Sequence, residues 1–337
     1  MQSIIQEVVK CSIAGNSMVK NKKSVEYRPI LLTGSHRSGT TWAANIIQLS
    51  NELSLIMEPF NDANNRYGIF NKKLDYYFPY ITEKNGEQYL ESVRKTLNFE
   101  FDINSGLVNI RNAKDAARFL RDYIVTIKNH YFGKRPFIKD PNALFMAEWL
   151  ANNFNMDVII LIRHPAAFIS SLKLLDWSFP FGSLLEQKLL IKDYLYEYEE
   201  QIIDYSRTSR DIIDQGILLW NMLHHVINVY KSRHYNWLFL RHEDLSSNPE
   251  KEFHELFRKL NIDYTPEINN RIKLYTSENN PADTTSVDVP LNSKKSIKRN
   301  TRSNITNWKR RLTSDEINRI RNGVSSISEY FYSDTDW

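Results

Sequence analysis

Only one cysteine, Cys11, occurs among 337 residues, so no disulfide can form within the chain. That excludes a fold held by internal disulfides and fits a reducing compartment. Charge of one sign is also scarce: 44 Lys and Arg against 40 Asp and Glu leave a formal net charge of +4. So mild an excess suits an anionic small ligand and does not mark a nucleic-acid binder. No apolar run approaches the roughly 20 residues of a membrane span. Near the N-terminus, Ile4, Ile5, Val8 and Val9 are interrupted by Gln6, Glu7 and Lys10, without the basic start and continuous apolar stretch of a secretory signal. A soluble, cytoplasmic protein is expected. Internal repeats are missing too, and a chain with 42% hydrophobic residues can bury a sizeable core. One large domain over 29–337, after a polar, basic lead-in at 1–28, is the simplest organisation.

What is present alternates. Pro29–Thr33 is a short apolar run that stops at Gly34, and Trp42, Ile46 and Leu49 follow at helical spacing. Further strand-like runs are Leu53–Met57, ending at Glu58-Pro59, then 136–139, 157–162 and 236–240. Helical patterns cover 87–98, 112–129 and much of 184–233, and Pro165 suits a first helical position. Short apolar strands alternating with helices predict an α/β fold with a parallel sheet. Residues 279–303 differ, being polar, with two prolines and with Lys294, Lys295, Lys298, Arg299 and Arg302. Such a stretch is either functional or a solvated surface loop.

Gly34-Ser35-His36-Arg37-Ser38-Gly39-Thr40-Thr41 has the glycine spacing of a phosphate-binding loop between a strand and a helix. Its glycines allow a tight turn that points backbone N–H groups and the helix's positive end at an anion. The triphosphatase version needs lysine directly after the second glycine. Here that residue is Thr40, and the loop's cation is Arg37. A triphosphate normally requires Mg²⁺ as well as that lysine. A smaller phosphosulfate group could be held by an arginine and backbone donors without metal.

Arg37-Ser-Gly-Thr-Thr-Trp42 closely resembles the 5′-phosphosulfate loop of sulfotransferases that use 3′-phosphoadenosine 5′-phosphosulfate (PAPS). The resemblance implies a three-layer P-loop-type domain, a central parallel sheet flanked by helices. It also implies that Arg37, Ser38, Gly39, Thr40 and Thr41 hold the phosphosulfate. Trp42 would lie near the adenine or, as large aromatics at helix starts commonly do, in the core. The family's 3′-phosphate arm is an arginine ending a strand with a serine eight residues on, and Arg163 and Ser171 match it. Arg302, ahead of Asn307-Trp308-Lys309, resembles a third nucleotide-binding segment, although the family's glycines are absent there. That would make 279–303 a lid. Arg241-His-Glu-Asp-Leu245 and Trp308-Lys-Arg-Arg-Leu312 also resemble family segments, without an assigned chemistry.

Sulfuryl transfer needs positioning, positive charge where oxygens gain charge, and a base for the acceptor's proton. Arg37 and Lys139 suit the charge. The family's cytosolic branch takes its base two residues after the strand-end lysine, where this chain has Pro141. Carbohydrate-type members use a glutamate after the second strand, which Glu58 resembles, with His36 in reserve. This places the chain nearer the bacterial and carbohydrate sulfotransferases. The expected acceptor is a small-molecule or glycan hydroxyl, possible also an amine, met on an aromatic-rich side built from 60–132. Trp177, Phe179 and Phe181 either stack on a sugar or belong to the core. No metal is expected. A nucleotide kinase or triphosphatase, and a nucleotide-binding protein without turnover, are the competing functions.

Overall fold

The computed structural model describes residues 27–61, 68–108, 110–280, 298 and 300–337. Most of the lead-in with Cys11, and most of the expected lid at 279–303, lie outside the described residues.

Five strands form one parallel sheet: β1 (Ile30–Gly34), β2 (Leu53–Met57), β3 (Arg135–Lys139), β4 (Asp157–Ile162) and β5 (Leu238–Arg241), in the order β2-β3-β1-β4-β5. Their near-continuous apolar sequence follows from burial on both faces. Ile30, Leu32, Phe137, Ile159 and Leu161 pack on one side, with Trp42 and Phe253. Leu31, Ile138, Val158, Ile160 and Ile162 pack on the other, with Phe168, Leu219 and Ile320. Helix, sheet and helix therefore make three layers, as the resemblance implies. The first side carries α1 (Thr40–Ile47). The second carries α2 (Pro165–Leu175) and α3 (Ile212–Arg233). Beyond β5 the chain runs into α4 (His242–Ser247), and near the C-terminus α5 (Ser314–Ser328) packs on α3 and α2.

Two elements differ from the sequence pattern. The fifth strand starts later than 236, because Trp237 turns back to stack on His234, with ring centroids 4.0 Å apart. The helical pattern over 184–233 is not one run. Short helical turns end in a π-helical turn at Ile191–Leu195, a helix follows at Glu199–Arg207, and α3 starts afresh at the Asp211 cap. Gln187 explains part of the break. Its side chain accepts the Tyr80 N–H at 2.7 Å and donates to the Phe78 carbonyl at 3.3 Å, which ties this stretch to the aromatic segment beside the sheet.

Candidate active site

β1 lies at the centre of the sheet, so its carboxyl end opens between the ends of β3 and β4. In open parallel sheets this is where the chain directions diverge and ligands collect. Gly34 closes β1 against β4; a Cβ there would strike the Leu161 backbone. Gly39 sits at φ 90° as the N-cap of α1 and brings no capping side chain. The first-turn N–H groups thus face the loop, with no acidic residue in that turn to oppose an anion. Ser38 closes the loop internally, its hydroxyl and its N–H both donating to the Ser35 carbonyl, at 2.6 and 3.2 Å.

Arg37 stands at φ 64°, a left-handed conformation that costs a non-glycine residue about 1–3 kcal/mol. Arg37 is exposed as a residue. Its Nε donates to the Ser171 hydroxyl at 2.9 Å, and Arg163 Nη1 donates to the Arg37 carbonyl. The loop cation, the strand-end arginine and the serine eight residues later thus come together, although 126 and 134 residues separate Arg37 from its partners. Arg302 is elsewhere in the hydrogen-bond pattern. It lies on a short helix, Thr301–Ile305, and bonds Glu278 at 2.8 Å and the Ser247 carbonyl at 3.3 Å. Trp42 is buried, edge-on to His242 and Phe253 at 5.4 and 5.5 Å.

On the other flank, β2 and β3 pair with Met57 opposite Lys139, which brings Glu58 to Lys139. Lys139, 1% exposed, forms an ion pair with Glu58 Oε1, and Asn61 Nδ2 donates to Glu58 Oε2 at 3.0 Å. Glu58 also has a left-handed backbone, φ 48°. Behind it, Asp140 accepts the Phe60 and Asn142 N–H groups at 2.7 and 2.9 Å. Burial, and then the Glu58 charge, push the Asp140 carboxyl up to about 7. The phenol of Tyr77 is raised by its own burial and then by Glu58 and Asp140.

His36 faces this flank from the phosphate loop. Its ring lies 4.3 Å from Trp177, 5.4 Å from Phe168, 5.5 Å from Phe78 and 6.3 Å from Tyr77. Neither ring nitrogen has a hydrogen-bond partner among the described residues. Burial, assisted by the Arg37 charge, drops its pKa to about 3, so it is neutral at physiological pH. Phe179 and Phe181 are core residues, 6% and 3% exposed, whereas Trp177 is only partly buried.

Asn61, Tyr77 and Asp140 join the site without having been singled out for a role from the sequence. Asp140 carried a signal, since it follows Lys139 at a strand end. Asn61 and Tyr77 reach the site through tertiary packing, which no spacing announces. Among the described residues, no cluster of three or more His, Cys, Asp or Glu side chains could hold a metal ion. No described helix is long and apolar enough to cross a membrane.

Among solved structures, the chain is similar to a sulfotransferase domain from the curacin biosynthetic pathway, at 14% identity and TM-score 0.45, over 89% of this chain and 98% of that one. It is also similar to the sulfotransferase domain of the Synechococcus PCC 7002 olefin synthase, at 14% identity and TM-score 0.47, over 94% and 99%. A mouse sulfotransferase, SULT7A1, complexed with PAP, is similar at 13% identity and TM-score 0.44, over 92% and 86%. No curated protein matches the sequence. The sulfotransferase family model, however, matches residues 29–266, from the start of β1 past α4. That span takes in the phosphate loop, Glu58, Lys139, Arg163 and Ser171, and the chain belongs to the sulfotransferase family, whose members are PAPS-dependent enzymes.

Proposed function

We propose that the chain moves a sulfuryl group from PAPS to a hydroxyl of a small-molecule or glycan acceptor. The observation that carries this reading is the meeting of Arg37, Arg163 and Ser171 at the carboxyl ends of β1 and β4. In it, Arg37, Ser38, Gly39, Thr40 and Thr41 take the 5′-phosphosulfate at the start of α1. Arg163 and Ser171 take the 3′-phosphate, for which an arginine's planar fork is suited. Arg302 would join them from its short helix, and Trp42 supports the loop from behind. The fit is chemical: the loop offers N–H groups, an arginine and no carboxylate in its first helical turn.

PAPS would supply the sulfuryl group, with the sulfur–oxygen bond to the nucleotide breaking as the bond to the acceptor oxygen forms. Arg37 would offset charge on the oxygens in flight, with Lys139 behind it. Glu58 would receive the acceptor's proton, held for that purpose by Lys139 on one oxygen and Asn61 on the other. His36 is the poorer base, because burial leaves it with a pKa of about 3 and rings shut its nitrogens in. No metal has a part in this scheme. The resemblance at Glu58-Pro59 favours a saccharide hydroxyl, and Trp177 is available to stack on a ring. A single cysteine is in keeping with a cytoplasmic setting. Thr40, in place of the triphosphatase lysine, argues against a kinase.

Sulfur-labelled PAPS should be offered in EDTA with glycans, phenols, lipids and amines in turn. Label moving to a hydroxyl acceptor supports the proposal. No transfer to any class, together with Mg²⁺-dependent ATP hydrolysis, would put a triphosphatase in its place.

A further inference from the structure

The Arg163–His164 turn ends β4, and the peptide groups around Arg163 are tied to buried side chains. The Arg163 carbonyl accepts the indole N–H of Trp220 at 3.1 Å, and the His164 N–H donates to Glu243 Oε1 at 3.0 Å. The second Glu243 oxygen accepts the Tyr332 hydroxyl at 3.0 Å. Arg241 lies over the Tyr332 ring, 4.5 Å from its centroid. Trp308 stacks on the His164 imidazole at 5.1 Å. A buried carboxylate is costly unless hydrogen-bonded, and both oxygens of Glu243 are used. The neighbouring residue, His242, abuts Gly39, where any Cβ would run into its ring. It also meets Trp42 edge-on, and its Nε2 lies 3.3 Å from the Ser246 hydroxyl. Two consecutive residues at the start of α4 therefore touch the two segments that carry Arg37 and Arg163.

We infer that His242 and Glu243 are positioning residues that fix the spacing between the phosphate loop and the Arg163 arm, and with it the preference for a nucleotide phosphorylated at both the 3′ and 5′ positions. This rests on the donor reading above, in which Arg163 takes the 3′-phosphate. Glu243 itself reaches no ligand; it acts through the peptide that follows Arg163. The segments 241–245 and 308–312, singled out in the sequence without a chemistry, acquire one here. They clamp the turn from which the arm projects.

The test compares binding of 3′-phosphoadenosine 5′-phosphate (PAP) and of AMP to the full chain, with the melting temperature of each variant. The wild type should prefer PAP. Glu243→Ala should lower PAP affinity roughly tenfold, the scale of a lost hydrogen bond to a charged group, and leave AMP affinity unchanged. Glu243→Gln should restore most of the preference, because its amide oxygen can accept the same N–H. If Glu243→Ala does not fold, Trp220→Phe and Tyr332→Phe carry the test, each expected to cut the PAP-to-AMP ratio about threefold. Equal losses for both nucleotides, or unchanged ratios in the folded variants, would overturn the inference while leaving the donor reading intact. A wild type that does not distinguish PAP from AMP would overturn both.

Discussion

On the donor side, the arginines and Ser171 bond to one another and to backbone carbonyls, and Trp220 and Glu243 hold the turn beneath them. On the side proposed for the acceptor, His36 lies among four rings with neither nitrogen hydrogen-bonded among the described residues, and an ion pair joins Glu58 to Lys139. The donor side is thus set by backbone geometry at strand ends, where a small displacement moves several contacts at once. The proposed acceptor side combines one strand-end pair, Glu58 and Lys139, with a wall made by side-chain packing around His36.

The sharpest way to break this division is at Glu58. Glu58→Gln keeps the side chain's size and removes its basicity, so turnover should fall by roughly 10²–10⁴-fold while PAP affinity stays near wild type. Arg37→Ala should instead weaken turnover and PAP binding together. If Glu58→Gln keeps most of its activity and His36→Gln abolishes it, the base is His36.

A smaller effect is expected at Trp177. Trp177→Ala should raise the acceptor KM roughly tenfold through lost ring contact and leave the PAPS KM unchanged. A change in the PAPS KM instead would show that the two halves are not separable at this residue.

Stability should also depend on pH, through histidines buried in both halves. Burial is the chief cause that holds His36 and His164 at about 3, and it does the same for His224 beneath them in α3. Below about pH 6.5 the unfolded histidines bind protons that the native ones refuse, so stability falls with pH through that window. The slope is about 1.4 kcal/mol per pH unit for each proton. Asp140 works the other way. Raised to about 7, it holds a proton in the native state that the unfolded chain binds only near its ordinary, lower pKa. Glu243, also raised by burial, works with Asp140, and His225, lowered by burial, works with the other histidines. With four such histidines against two such carboxyls, the melting temperature should drop between pH 6.5 and 4.5. A flat profile would show that the histidines take up protons in the folded protein.

The donor side was the more legible in the sequence, for a physical reason. Its residues lie in the turn after a strand or on the helix that follows, so an apolar run that stops at Gly34 or Arg163 already locates them. Strand order was not legible. Only the pairing of β2 with β3 sets Glu58 beside Lys139. The acceptor wall was less legible still, since Tyr77 and Trp177 come from irregular segments held by contacts such as Gln187 to Tyr80. Among the described residues, Arg302 bonds to Glu278 and Ser247, partners that its spacing in the sequence does not announce.

In the proposed function, the strand ends of β1 and β4 hold a nucleotide by its 5′ and 3′ groups together, without metal. Thermal unfolding in EDTA with saturating PAP or ATP tests it directly, because a ligand of the native state raises the melting temperature by mass action. PAP should raise it clearly and ATP much less, having no 3′-phosphate for Arg163 and Ser171. Equal shifts from the two nucleotides would mean that Arg163 and Ser171 do not hold a 3′-phosphate.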